Sequence, residues 1–373
     1  MLLSSRSEQG DVAELVMAVG AENVLTSATD LIRYSADASP YHQVPRVVVL
    51  ARTGDDVAAV FRFASRNGRR VVLRAAGTSL NGQAQGYDIL LDVRRHFDRA
   101  TVEEEGAFLR SAPGVVLSRA NARLARHGRM LGPDPASSAA ACVGGVVANN
   151  ASGMTCGVHA NSYRTVESLR IVLPSGTRID TAAHDAGRHL AEAEPELVTQ
   201  LLAIRDEIRA DPELTARIRT KFEIKNTNGY RLDAFLDGDT PAEIVRGLLV
   251  GSQGTLGFLE EITFRWMHEI DEDDAGLLVE FRSSDQAELD RFEHEAREIV
   301  DGVVLHGDFT RNARVAGGVW AVRKGLLAAL GANRSPGTIL LSEDVCVPPA
   351  RVAEAAVALR DILAAQNASG ELG

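Results

Sequence analysis

The stretch Gly132 to Gly157, GPDPASSAAACVGGVVANNASGMTCG, constrains the fold of this chain more than any other. It is built almost wholly from small residues, and protein interiors are close-packed. A run of this kind therefore packs in one of two ways. Either bare backbones approach one another tightly, or another body, such as a planar cofactor, occupies the volume. The Pro133-Asp134-Pro135 opening fixes an extended turn. Gly144 and Gly145 precede the start of a small-residue helix, and NNASG offers amides and a hydroxyl beside a flexible glycine.

Upstream the chain alternates. RVVVLA reads as a strand, and TGDDVAAVFRFASRNG as a helix with Thr53 as N-cap, Asp55 and Asp56 in its first turn and Gly68 as its stop. RVVLRAAG is a second strand, so Arg46 to Gly77 forms a strand–helix–strand unit. Residues 1–43 read as a helical lead-in, Val12–Val19 and Val24 to about Tyr34. DILLDV and GAFLRSAPG are further strands, VVLSRANARLARHG is a helix, and VESLRIVLPSGTRIDT turns as a hairpin at Pro174-Ser175-Gly176. Residues 184–222 are helical and charged. After about His268 the acidic EIDEDDAG marks a boundary, and GLLVEF, SDQAELDRFEHEAREIV and GVVLH follow as strand, helix and strand.

Two more loops carry the same small-residue character. RAAGTSLNGQAQG, Arg74–Gly86, carries the glycines Gly77, Gly82 and Gly86, which permit positive φ and allow the backbone close to a ligand. Its successive N–H groups, with the Thr78 and Ser79 hydroxyls, can form a nest for phosphate oxygens. The spacing is neither GxGxxG nor a Walker loop, and a plain connecting loop remains an equal reading of this segment alone. GSQGTLGFLEEITF, Gly251–Phe264, ends a helix and starts a strand through glycines three residues apart.

In this order the motifs resemble the FAD-binding domain of the vanillyl-alcohol oxidase and p-cresol methylhydroxylase family, which includes the D-lactate, glycolate and D-2-hydroxyglutarate dehydrogenases. The resemblance rests on R-x-x-GTSLNG, PDP with VGGVVANNASG, LRIVLPSG and GSQGTLGFLEEITF, over about Tyr34 to Pro349. NNASGMTCG with NSYRTVESLRIVLPSGTRIDT, and KNTNGYRLDAFLD, are similar to the branch that joins this flavin domain to an iron–sulfur domain. The implied fold class is α+β: a two-subdomain p-cresol methylhydroxylase-type FAD-binding fold over residues 44–268, then an incomplete α+β substrate-binding cap over 269–373.

The resemblance implies that Ala75, Ala76, Gly77, Thr78 and Ser79 bind the FAD pyrophosphate, with Asn81 and Gly82 beside the flavin. Pro133, Asp134, Ser138, Gly144, Gly145, Asn149, Ser152 and Gly153 lie along the dinucleotide. Gly251 and Gly254 lie near the cofactor, and Ile262 lies on the adenine or ribose side. Many relatives carry a flavin-linking histidine in the first loop. Ala75 and Ala76 stand there instead, which implies non-covalent FAD. The usual glutamate of the third motif is Gln253.

Arg323 in VWAVRKGLLAALG stands where relatives bind a substrate carboxylate, a task suited to a planar guanidinium; a surface ion pair is the competing reading, and Lys324 is its neighbour. His159 and His306 are the histidines considered for catalysis, with packing the alternative for His159. The histidine-rich segment and the iron–sulfur cysteine motifs of relatives are not in this chain. No metal ligand set is expected: the nine histidines form no HxH or HxxxH pair, and Cys142, Cys156 and Cys346 form no CxxC pair.

The net charge of −11 argues against a non-specific nucleic-acid binder. The expected function is FAD-dependent oxidation of a small 2-hydroxyacid, with electrons passing to an iron–sulfur protein or quinone. The alternatives are a truncated FAD-binding protein without turnover and an alcohol or sugar oxidase of the same fold. The expected location is cytoplasmic, or peripheral at the inner face of the membrane, without a transmembrane segment.

Overall fold

The computed structural model describes residues 6–153, 156–265, 268–269 and 285–300, with isolated positions beyond. The first layer is built by α1 (Arg6–Val19), β1 (Val24–Leu25), α2 (Ala28–Arg33), β2 (Val47–Leu50), α3 (Gly54–Arg66), β3 (Val71–Arg74) and β4 (Ile89–Asp92). Every residue of β2 and β4 is buried, as expected of strands covered on both faces. Helix α3 starts as its sequence predicts: the Thr53 hydroxyl accepts from the Asp56 N–H at 3.2 Å, and Gly68 follows its end at φ +60°.

Two expectations change here. The strand order is β1-β2-β4-β3, so β4 inserts between the two strands of the strand–helix–strand unit, parallel to both. The lead-in is also not helical throughout, because Val24 and Leu25 pair antiparallel with Val49 and Val48. Leu15 and Val19 of α1 join the core of this layer with Val57, Val60 and Phe63. The lead-in is thus part of the first sheet and its core.

The second layer follows with β5 (Ala100–Glu103), β6 (Phe108–Ser111), α4 (Leu117–Leu124), β7 (Arg129–Met130), α5 (Val143–Asn149), α6 (Ser162–Thr165), β8 (Val166–Val172) and β9 (Arg178–Asp180). Helices α7 (Ala186–Ala193), α8 (Pro195–Ala210), α9 (Pro212–Lys221), α10 (Ala234–Asp237) and α11 (Pro241–Leu249) lead into β10 (Phe258–Arg265). The five strands order as β5-β6-β10-β8-β9, all antiparallel. Leu109, Leu169, Ile171 and Ile262 pack into a core shared with α5, α8 and α11.

A chain of ion pairs crosses all five strands: Glu103–Arg110 at 3.0 Å, Arg110–Glu261 at 3.0 Å, Glu261–Arg170 at 3.5 Å and Arg170–Asp180 at 3.1 Å. The hydrogen bonds to Glu103 and then Glu261 hold the Arg110 guanidinium above its ordinary pKa. The two layers meet where Val172 and Phe258 of the second sheet enter the first core. Arg178 spans the same seam, reaching Glu260 at 2.6 Å and Asp55 at 2.9 Å.

Beyond the second sheet, β11 (His268–Glu269) pairs with β7, and α12 (Gln286–Val300) matches the helix expected there. The strands expected at GLLVEF and GVVLH lie outside the described residues. Among the described residues no helix is long and apolar enough to cross a membrane.

Candidate FAD site

The first loop leaves β3, an edge strand of the four-stranded sheet. Among the described residues no group accepts a hydrogen bond from the backbone N–H of Ala75, Ala76, Gly77, Thr78 or Ser79. Polar backbone groups in folded proteins are nearly always paired, so consecutive half-buried donors form the nest an anion fills. Gly77 has φ +70°, a conformation that favours glycine, and a Cβ there would press on the Arg74 guanidinium at 2.7 Å. Gly82 has φ +79°. Gly86 does not adopt positive φ; its bareness makes room for Val72, whose methyl would lie 2.6 Å from a Cβ.

Braces hold this loop from beneath. Arg74 turns inward and donates to Tyr34 O at 3.2 Å and Ala84 O at 3.4 Å. Burial lowers its pKa, against the pull of Asp37, Tyr34 and Asp92, and its guanidinium remains a cation below the nest. The Asp37 carboxylate accepts from Ser39 N at 2.9 Å, Ala84 N at 3.3 Å and Gln85 Nε2 at 2.5 Å. Gln85 is 4 % exposed, and its Oε1 is buried without a hydrogen-bond partner. Above the nest, Ser79 Oγ accepts from the N–H groups of Asn81 and Gln83.

The small-residue segment shows the tight backbone packing of its first reading. Some glycines serve backbone packing. A Cβ at Gly132 would sit 2.0 Å from Ala160 O, one at Gly144 would sit 2.4 Å from Pro113 Cβ, and one at Gly153 would sit 2.0 Å from Asp134 O. Asp134 N donates to Ser152 O at 2.8 Å, which ties Pro133-Asp134 to Ser152-Gly153. Ser138 O accepts from Ser118 N at 3.1 Å, anchoring the PDP turn to α4. Gly145 differs: it is exposed, and a Cβ there would meet nothing within 4 Å. Both glycines lie inside α5, which begins at Val143, one residue before them.

The third loop joins the other two. Gln253 N donates to Ala148 O at 2.7 Å and Gly251 N to Val147 O at 3.0 Å, both at the end of α5. On its other side, a Cβ at Gly254 would touch Leu73 of β3 at 3.4 Å. Gly251, Gln253 and Gly254 all have positive φ, Gln253 at +56°. The third loop therefore bridges the end of α5 and β3, the strand from which the first loop leaves.

Residues 45–182 match a family described as an FAD binding domain, and residues 256–371 match the C-terminal domain of FAD linked oxidases. Over both stretches the chain is thus similar to FAD-linked oxidases. It is 31 % identical over 247 residues to a D-2-hydroxyglutarate dehydrogenase of Pantoea ananatis, covering 63 % of this chain and 24 % of that protein. It is 26 % identical over 377 residues to the glycolate oxidase subunit GlcD of Bacillus subtilis, covering 96 % of this chain and 77 % of that one. Among solved structures, p-cresol methylhydroxylase with substrate bound aligns at 17 % identity and TM-score 0.48, over 72 % of this chain and 44 % of that one. The chain spans about a quarter of the length of the D-2-hydroxyglutarate dehydrogenases it matches.

The match to an FAD binding domain thus agrees with the reading of the motifs. The residues present fit the cofactor: the unaccepted N–H groups of Ala75–Ser79 match a pyrophosphate, the Arg74 cation adds attraction, and Gly145 leaves open surface. The structure places other expected residues differently. Ile262 is fully buried in the second core. His159 is exposed, so it does not serve packing in the core. Arg323, Lys324 and His306 lie outside the described residues.

Proposed function

We propose that this chain oxidises a small 2-hydroxyacid of the D-lactate, glycolate or D-2-hydroxyglutarate type, using FAD held without a covalent bond. The unaccepted donors of Ala75–Ser79 carry the reading, supported by the Gly251–Gly254 loop lying between the end of α5 and Leu73 of β3. The named activities of the relatives support the substrate class. Bound FAD supplies a two-electron acceptor that takes hydride at N5.

The chain's own residues bind and orient. The loop amides and Arg74 hold the pyrophosphate, while Gly144, Gly145, Asn149, Ser152 and Gly153 border the dinucleotide. Arg323 receives the substrate carboxylate in its planar fork. The substrate loses hydride from its α-carbon and a proton from its hydroxyl. Electrons then pass to an iron–sulfur protein or a quinone, and a quinone acceptor would bring the protein to the inner face of a membrane. Residues 44–268 form the flavin domain, and 269–373 form part of the cap.

Anaerobic titration of the FAD-loaded protein with the three acids tests this. Bleaching of the flavin absorbance by one of them is expected. A flavin that dithionite reduces but none of the acids does would overturn the substrate class and favour an FAD-binding protein without this turnover. Oxygen consumption with alcohols or sugars would identify an oxidase instead. Acid precipitation should release all of the flavin into the supernatant, and flavin retained in the pellet would refute non-covalent binding.

A further inference from the structure

The segment between α9 and α10 carries an ion pair that the flavin chemistry does not explain. Arg231 is 5 % exposed and Asp233 1 %. The guanidinium binds the carboxylate with both arms, Nε to Oδ1 at 2.9 Å and Nη2 to Oδ2. Its flat faces are covered as well, with the Tyr163 ring centroid at 3.8 Å and that of Phe222 at 4.4 Å. Burying two charges carries a desolvation cost that apolar residues of the same volume avoid, so stability alone is a poor reason for such a pair.

What the pair touches suggests another reason. Tyr163, stacked on Arg231, donates its backbone N–H to Asn150 Oδ1 at 3.1 Å and its hydroxyl to Asp237 Oδ2 at 3.0 Å. Asn150 caps α5 in the left-handed conformation, φ 49°. Gly251 lies between the two: a Cβ there would sit 3.5 Å from Asn150 Cβ and 3.8 Å from Arg231 Cγ. Next to Arg231, the Tyr230 hydroxyl pairs with Thr255 Oγ1 at 2.9 Å, and Thr255 Oγ1 bonds back to Ser252 O at 2.6 Å. Both ends of the Gly251–Thr255 loop, and the end of α5 beside it, therefore rest on one short segment.

We infer that Arg231 and Asp233, with Tyr163 and Tyr230, are positioning residues that set the Gly251–Thr255 loop against the end of α5 and so determine how tightly the chain holds FAD. The inference rests on FAD binding by the family and not on the 2-hydroxyacid reading. A guanidinium suits the task because its planar fork has one orientation when stacked on two rings and bonded to one carboxylate, whereas an apolar pair packs in several. The pair touches no reacting atom.

The test uses the full chain and titrates FAD by quenching of its fluorescence, with far-ultraviolet circular dichroism and thermal melting as folding controls. In the double variant Arg231→Met, Asp233→Leu, the expected result is a folded protein melting near the wild type whose dissociation constant for FAD rises about tenfold or more. The resolved shoulders in the absorption of bound flavin should blur. Arg231→Lys, which keeps the charge but not the fork or the stacking, should fail to restore affinity. Wild-type affinity in the folded double variant, or full rescue by lysine, would overturn the inference. Should the double variant not fold, Tyr230→Phe decides. It removes one half-exposed hydroxyl, and an unchanged dissociation constant for FAD would overturn the inference equally. Because every readout is binding, failure of the acids to reduce the flavin leaves this result standing.

Discussion

Gly144 and Gly145 are adjacent in α5, and alanine at each should produce opposite results. At Gly144 the new methyl would lie 2.4 Å from Pro113 Cβ and 3.0 Å from Pro113 Cα. Carbon atoms rest at about 3.5–4.0 Å, so the helix and the Pro113 turn must part by roughly 1 Å. Two hydrogen bonds resist that parting, Gly144 N to Pro113 O at 2.9 Å and Val143 N to Val115 O at 2.8 Å. Overpacking of about 1–3 kcal/mol plus about 1 kcal/mol of strained hydrogen bonding gives a loss of roughly 2–4 kcal/mol for Gly144→Ala. Gly145→Ala meets nothing within 4 Å. It should stabilise the FAD-free chain by about 0.5–1 kcal/mol, because glycine is the poorer helix former. The same methyl stands on the surface proposed for FAD, so the dissociation constant should rise at least about tenfold, or 1.4 kcal/mol. Urea unfolding without FAD, paired with an FAD titration, measures both quantities. If Gly145→Ala binds FAD like the wild type, the bareness of Gly145 has no role toward the cofactor and the reasoning fails.

Asp37→Ala removes the acceptor shared by Ser39, Ala84 and Gln85, and should weaken FAD binding about tenfold in a titration; unchanged affinity would show that the nest stands without it. Thr53→Ala should lower stability by about 1 kcal/mol in urea unfolding, through loss of the α3 cap, without changing FAD affinity. Burial pushes the Cys142 thiol up to about 11, and burial followed by Asp92 pushes the Tyr34 hydroxyl up to about 12. Both groups hold their protons more tightly when folded, so their contribution is complete below about pH 9 and is lost as pH rises through 11 to 12. The urea midpoint should therefore fall between pH 9 and about pH 11, and a flat profile there would contradict the burial of these groups. At pH 8, alkylation followed by peptide mapping should find Cys142 and Cys156 unmodified in the native chain and modified in urea.

What the sequence disclosed, and what it hid, divides by distance along the chain. Helix α3 was legible because its cap, its acidic first turn and its closing glycine are local signals. The three loops were legible because bare backbone is written directly as glycine, alanine and serine. Strand β5, with the sequence ATVE before two more glutamates, carries no such signal, because an edge strand is held partly by cross-strand ion pairs that a hydrophobic pattern does not show. Val24–Leu25 read as helix because pairing with β2 overrides so short a local preference.

The braces of the site were hidden for the same reason. Asp37 meets Gln85 across 48 positions, and Tyr163 stacks on Arg231 from another part of the chain. No local pattern marks such pairs. Arg74 stood in the quoted motif, but its inward direction depends on Tyr34 and Ala84.

The short strand β1 has a consequence for how the chain can be divided. Similarity to the FAD binding domain begins at residue 45, yet Val24 and Leu25 cover one side of β2. A fragment cut at the similarity boundary would leave Val47–Leu50, four apolar residues, as an open edge, and would remove Leu15 and Val19 from the core beneath. Flat apolar edges recruit other chains. Such a fragment would aggregate although it kept every cofactor loop, and the first forty-odd residues act as the guard that keeps this sheet from pairing with its neighbours in solution.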